Sequence, residues 1–201
     1  MALPSYLQRV LEVPAVYHLW QAPFVRAKFA PILQHNDLAR VKRVLDIGCG
    51  PGTNCKHFRH AHYTGIDVNP GYISYARRRH AMDFQVRDAT TDVPDGRYDF
   101  VLLNSLLHHL DDQAALRVLR QSAAALDHNG SIHVIELVLP ERQGLPRLMA
   151  TRDRGDYPRP LERWRSMFCQ YFEPQVFRPY TIGLAGIPLW NLVYFKGKTL
   201  R

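Results

Sequence analysis

Apolar positions keep one rhythm up to about residue 40 and another beyond it. In the first part Leu7, Val10, Leu11, Val16, Leu19, Trp20, Phe24, Ala27 and Leu33 recur at three- and four-residue spacing, the period of an amphipathic helix. Pro4, Pro14, Pro23 and Pro31 punctuate this run, and proline inside a helix removes a donor and crowds the preceding turn, so the helix is expected in pieces. Residues 1–40 therefore read as a helical lead-in or lid. From residue 41 onward short apolar runs alternate with helical patterns. Strands are expected at about 43–47, 62–67, 83–87, 98–104, 131–138, 174–180 and 189–196, with helices near 52–60, 70–81, 112–126 and 160–170. That alternation predicts an α/β fold, a mainly parallel sheet with helices on both faces. In such sheets ligands bind beyond the C-terminal ends of the strands.

Chemistry-bearing residues fall at those ends. The first strand runs into Asp46-Ile47-Gly48-Cys49-Gly50-Pro51-Gly52, a loop whose glycines allow a close approach of backbone to ligand. Its spacing is Gly48-x-Gly50-x-Gly52, with Thr53 where a dinucleotide fingerprint would place its last glycine. Asp67, followed by Val68, ends the second strand 19 residues after Gly48. A carboxylate there can accept two ribose hydroxyls, although Asp67 or Asn69 could instead cap the next helix. Asp88-Ala89 follows the third strand, where an aspartate also suits a turn. The fourth strand ends in Asn104-Ser105-Leu106-Leu107-His108-His109, an abrupt change from apolar to polar. Imidazoles titrate near neutrality and suit a general base, or the pair packs the start of a helix capped by Asp111 or Asp112. Glu136, alone in an apolar strand, needs a partner if buried; it either faces the pocket or makes a structural pair. Asn129-Gly130, just before that strand, reads as a helix C-cap.

Composition narrows the class further. A length of 201 residues, 46% hydrophobic and 22% charged, suits one globular domain. Absence of a membrane-length apolar run and of a signal-peptide pattern makes a cytoplasmic location the expectation. Cys49, Cys55 and Cys169, an odd number, read as free thiols. The net charge of +8 points to anionic partners. Residues 141–178 hold eight arginines, no lysine and five acids, a composition that fits either forked binding of a carboxylate or pairing with neighbouring acids. Arg159 and Arg163 from this stretch, with Tyr17 and Trp20 from the lead-in, are candidate acceptor-binding residues. His57, His60 and His62 lie within six residues of one another, but no recognised ligand spacing accompanies them and no metal is expected.

From Val44 to Gly130 the order and spacing of these motifs resemble the class I S-adenosylmethionine (SAM)-dependent methyltransferases, nearest to the small-molecule type 11/12 group. The resemblance implies a Rossmann-like seven-stranded sheet with an antiparallel last strand, a methyltransferase domain over 41–201 and a substrate-facing segment at about 140–172. SAM is then the implied cofactor, with its ribose on Asp67 and Val68 beside it, and its adenine near Asp88 and Ala89. Its amino-acid part would lie along Gly48, Cys49, Gly50 and Gly52 with Asp46 and Asn104 as anchors. His108 or His109 would serve as base for an acceptor that must lose a proton. No Asn-Pro-Pro-Tyr or Asp-Pro-Pro-Tyr follows the fourth strand, where Asn104-Ser105-Leu106-Leu107 stands, so methylation of bases or glutamine in that manner is disfavoured. The expected acceptor is a small molecule, lipid-like or anionic; an RNA substrate is a disfavoured alternative, and a non-catalytic SAM-fold partner protein is another. Contact of the lead-in helices with a membrane surface is a further expectation of lower rank, and the oligomeric state is not indicated.

Overall fold

The computed structural model describes the backbone of residues 14–153 and 155–200, and side chains from residue 24 onward. Helices are α1 (Pro14–His35), α2 (Pro70–Arg79), α3 (Asp112–Ala125), α4 (Leu145–Thr151) and α5 (Leu161–Phe168). Strands are β1 (Arg43–Ile47), β2 (His62–Asp67), β3 (Asp83–Val86), β4 (Tyr98–Asn104), β5 (Leu126–Leu137), β6 (Phe172–Leu184) and β7 (Ile187–Thr199). They form one sheet in the order β3-β2-β1-β4-β5-β7-β6. Neighbours from β3 to β5 pair in parallel, while β7 pairs antiparallel with β5 and with β6, so β7 alone is reversed. The expected seven-stranded architecture with an antiparallel last strand is present.

Alternation along buried β1 divides the core. Leu45 and Ile47 pack on the face covered by Ala115, Val118 and Leu119 of α3 and by Trp164, Met167 and Phe168 of α5. Val44 faces the other side, with Phe29 and Ile32 of α1 and Ile73 and Ala76 of α2. Both faces of a parallel sheet need such cover, which is why its strands are apolar throughout. Two short polar side chains start helices at the active end of the sheet. Asn69 caps α2 by accepting from Gly71 N and Tyr72 N, with Pro70 as first helical residue, and Asp111 caps α3 by accepting from Ala114 N at 2.8 Å.

Four local expectations change. Helix α1 runs unbroken through Pro23 and Pro31; burial of Phe29 and Ile32 against the sheet outweighs the lost backbone bonds. Pro4 lies outside the described residues. The helix expected at 52–60 is a series of turns with one 3-10 turn, Cys55–Phe58. Its bonds, Cys55 N to Gly52 O and His57 N to Asn54 O, close three-residue steps. Asn129 and Gly130 belong to β5 rather than to a helix cap, and α3 ends at Ala125. A Cβ on Gly130 would come within 2.6 Å of Tyr98 O, so close strand packing explains this glycine. Helix α4 was not anticipated. No helix among the described residues is long and apolar enough to cross a membrane.

Candidate active site

A cleft of about 620 Å³ opens over the C-terminal strand ends, within the range of small-molecule pockets. Its walls include Gly48, Gly50, Asp67, Val68, Asp88, Ala89, Asn104, Ser105, Leu106, His109 and Asp156. Residues from four separate strand ends therefore meet as the motif spacing anticipated.

The glycine loop forms one wall. Gly48 and Gly50 take φ of +71° and +54°, the left-handed region where a side chain is strained. A Cβ on Gly48 would sit 2.9 Å from Leu106 Cδ1, whereas nothing lies within 4 Å of the corresponding point on Gly50. Gly50 thus offers bare backbone to a ligand. Its N–H donates to Asp67 Oδ2 at 2.9 Å, and Asn69 N donates to Asp67 Oδ1 at 2.8 Å. Because Asn69 caps α2, Asp67 is left to stitch β1 to β2 at the cleft, with one bond on each oxygen and lone pairs to spare. Burial raises its pKa, against those two backbone bonds. Asp88 accepts from the backbone and hydroxyl of Thr90 through Oδ1, which lowers its pKa; it serves as a turn residue and still lines the cleft.

Behind the loop lies a polar chain through the core. Tyr63 Oη donates to Asp46 Oδ2 at 2.7 Å, Asn54 Nδ2 donates to the same oxygen, and Asn104 Nδ2 donates to Asn54 Oδ1. Burial pushes Asp46 up to about 6 although the Tyr63 and Asn54 bonds oppose the shift. Asp46 therefore supports the loop from beneath rather than lining the cleft. Asp46 Oδ1, Thr53 Oγ1 and Asn104 Oδ1 are buried without a partner. Orphaned buried polar atoms are uncommon and mark a place where a ligand or water completes the bonding. Cys49 is buried beside them with its thiol pKa well above the usual range, so it is an unreactive filler.

At the end of β4 the chain turns through Ser105, a non-glycine residue at φ +58°. Such a conformation costs about 1–3 kcal/mol and persists where surroundings enforce it. Glu136, wholly buried, does so: Oε1 accepts from Leu106 N at 2.9 Å and Leu107 N at 2.6 Å, and Oε2 takes His108 Nδ1 at 2.7 Å. His108 Nε2 faces Asp153 Oδ2 at 3.2 Å. Burial alone would favour a neutral ring, but the two carboxylates outweigh it and raise the His108 pKa to about 9. The same contacts bring Asp153 down to about 2. Of the two anticipated histidines, then, exposed His109 lines the cleft, and His108 sits behind it, buried, with ring centroids 4.3 Å apart. His108, His109 and Asp153 also form a group that could hold a metal ion. His108 already directs both ring nitrogens at carboxylates, which accounts for the cluster as an ion-paired support.

The candidate acceptor residues are placed elsewhere. Arg159, 5% exposed, donates to Asp112 Oδ1 at 2.7 Å and to the carbonyls of Leu107, Tyr157 and Leu110, with its guanidinium over Trp164. Arg163 pairs with the other oxygen of Asp112. Neither lines the cleft; both clamp the turn after His109 to α5, because a planar fork satisfies several acceptors at once. Arg147, Arg165 and Arg178 are likewise engaged with Pro140 O, Glu162 and Gln34. Tyr17 and Trp20 fall in the first turns of α1, where side chains are outside those described. His57 stacks on Phe29 and His60 bonds Leu38 O, so neither is arranged with His62 around a metal. Asn54, Tyr63, Thr53 and Asp153 carry no signal in the sequence, since no motif spacing distinguishes them from ordinary loop or strand residues.

A family model described as "Methyltransferase domain" matches residues 17–182. The chain is 28% identical over 148 residues to a phenazine O-methyltransferase of Lysobacter antibioticus, covering 68% of this chain and 43% of that protein. It is 33% identical over 92 residues to a trans-aconitate 2-methyltransferase of Methylobacterium nodulans, covering 43% and 36%. The chain thus matches less than half the length of either relative. Among solved structures, an O-methyltransferase from neocarzinostatin biosynthesis, in complex with SAM and a naphthoic acid, superposes with a TM-score of 0.69 at 21% identity, covering 98% of this chain and 62% of that one. The N-methyltransferase NodS of Bradyrhizobium japonicum, in complex with S-adenosylhomocysteine, gives 0.69 at 17% identity over 89% of each chain. These structural likenesses concern the fold.

Proposed function

Since the chain belongs to the methyltransferase-domain family, we propose that it transfers the methyl group of SAM to a proton-bearing group, a hydroxyl by preference, of a small molecule. The observation that carries this reading is the union of a left-handed glycine loop, the Asp67 carboxylate and the unpartnered buried Asn104 Oδ1 around one cleft, with the unpartnered Thr53 Oγ1 in the hollow beside it. These groups fit the cofactor in kind: open backbone at Gly50, free lone pairs on Asp67 for vicinal hydroxyls, apolar walls from Val68 and Ala89, and polar atoms awaiting partners at the amino-acid end. Bound there, SAM supplies a methyl already activated by its sulfonium.

The chain's own residues then divide the work three ways. Gly48 to Gly52, Asp67 and Asn104 hold the donor; alignment of donor and acceptor can be worth up to about 7–11 kcal/mol. Glu136 locks the turn from Leu106 to His108, and with it the position of His109 at the cleft wall. His109 takes the acceptor's proton at the cleft wall, while His108, charged between Glu136 and Asp153, supports it from behind. Engagement of Arg159 and Arg163 by Asp112 removes the support those arginines lent to an anionic acceptor, so the acceptor is drawn as small and set by the cleft's volume.

Calorimetry with S-adenosylhomocysteine and transfer of labelled methyl to a panel of small phenols, carboxylic acids and amines test this reading. Wild-type protein is expected to bind the cofactor product, and Asp67→Asn to weaken it at least tenfold, the scale of a lost bond to a charged group. Unchanged affinity in that variant would remove Asp67 from the ribose role. Absence of binding by wild type would leave a partner protein with a methyltransferase fold.

A further inference from the structure

A second, smaller hollow adjoins the cleft and shares Gly48, Gly50 and Asn104 with it. Its other walls are Cys49, Pro51, Thr53 and Asn54 from the glycine loop, and Val25 and Lys28 from α1. Among the described residues Lys28 is the charged side chain on these walls, and two of the unpartnered buried atoms, Thr53 Oγ1 and Asn104 Oδ1, belong to the same lining. A ligand lying in the large cleft can therefore extend one arm past Gly50 into a hollow that offers a cation, a hydroxyl and an amide oxygen.

The position of Lys28 is fixed by packing. Its carbonyl accepts from Tyr180 Oη of β6 at 2.7 Å, Phe29 is buried, and Phe24 meets the Trp190 ring edge-on at 4.9 Å. These contacts hold the half-buried Lys28 against the glycine loop rather than free in solvent. An amino-acid group is zwitterionic and asks for one cationic partner and several acceptors. We propose that Lys28 is a cofactor-positioning residue that holds the carboxylate of the cofactor's amino-acid group, with Thr53 Oγ1 and Asn104 Oδ1 completing that group's hydrogen bonds. This rests on the SAM reading above. Helix α1 thereby does more than cover the sheet, because it lets the cleft distinguish a nucleoside that carries an amino acid from one that does not.

The test compares calorimetric affinities for S-adenosylhomocysteine and for 5′-methylthioadenosine, which shares the nucleoside and lacks the amino-acid group. Lys28→Met keeps the apolar stem and is expected to weaken S-adenosylhomocysteine about tenfold to a hundredfold, the range of a charge-assisted bond, while leaving methylthioadenosine within about twofold. Lys28→Arg is expected to restore most of the lost affinity. Equal weakening of both ligands, or of neither, would overturn the assignment. If wild type binds neither ligand, the SAM reading itself fails, and the assignment with it.

Discussion

The Glu136–His108–Asp153 cluster makes a quantitative prediction about pH. His108 titrates at about 9 in the folded protein against 6.5 for an unperturbed imidazole. A basic group whose pKa is raised by folding stabilises fully below its unfolded value, and that stabilisation drains away as pH rises through the folded value. The gap between 6.5 and about 9, at 1.36 kcal/mol per pH unit, amounts to about 3 kcal/mol, with roughly 2 of it lost between pH 7 and pH 9. For a chain of this length that loss lowers the melting temperature by about 4–8 °C. The measurement is urea denaturation of wild type and His108→Gln at half-unit steps from pH 6 to 9.5. Ionisation of exposed thiols and amines is common to both proteins, so their difference isolates the cluster. Wild type is expected to start well above the variant and converge on it as pH rises. Parallel curves would show that His108 carries no proton in the folded state, and the ion-paired account of the loop would be wrong.

Three further outcomes follow from contacts already described. Gly155→Ala would place a Cβ 2.1 Å from His108 Cδ2 and 2.6 Å from His108 O; overpacking of this kind costs about 1–3 kcal/mol, and a variant as stable as wild type in urea would show that the 153–157 segment does not press on His108. Tyr63→Phe removes the 2.7 Å bond to Asp46. Its cost is expected at about 2–3 kcal/mol at pH 7.5, where Asp46 is ionised, and about 1 at pH 5, where Asp46, at about 6, holds a proton; equal costs at both pH values would refute the assignment of that charge. Arg159→Lys keeps the charge but cannot reach Asp112 and three carbonyls together, so a loss of about 2–4 kcal/mol in the same assay is expected, with a near-neutral result counting against the clamp.

Where backbone chemistry is local, sequence alone narrowed the choice to one or two residues, Asp67 or Asn69 for one cap and Asp111 or Asp112 for the other. Asn69 before Pro70, Asp111 before α3 and the glycines at 48 and 50 each act within a few positions of themselves, so spacing exposes them. Apolar runs also located the inner strands β1, β4 and β5, since burial on both faces leaves little but apolar residues. Tertiary contacts were hidden. Prolines 23 and 31 do not divide α1, because Phe29 and Ile32 anchor it to a sheet that local propensity cannot foresee. Residues 52–60 forgo a helix in a stretch where Asn54 bonds both Asp46 and Asn104, residues eight behind and fifty ahead. Gly130 looked like a turn because glycine so often makes one, whereas here the start of β4 passes too close for any side chain. Arg159 and Arg163 carry the right chemistry for an anion, and Asp112, forty-seven positions before Arg159, already supplies one. Glu136 was open between pocket and partner; its carboxylate is fully used by Leu106, Leu107 and His108.

Strand order sets how such a chain can assemble. The last strand in sequence, β7, lies between β5 and β6, while β6 occupies the outer edge. A newly made β6 has no place on the sheet until β7 exists, because its only strand neighbour among the described residues is β7. The two are joined through the tight turn at Ala185-Gly186, so their pairing is local and fast, while docking onto β5 closes a much longer loop. The β6–β7 hairpin should therefore form first and add to the parallel half as one unit. Until it does, β5 keeps an open edge, and that interval is when two nascent chains are most exposed to pairing with each other.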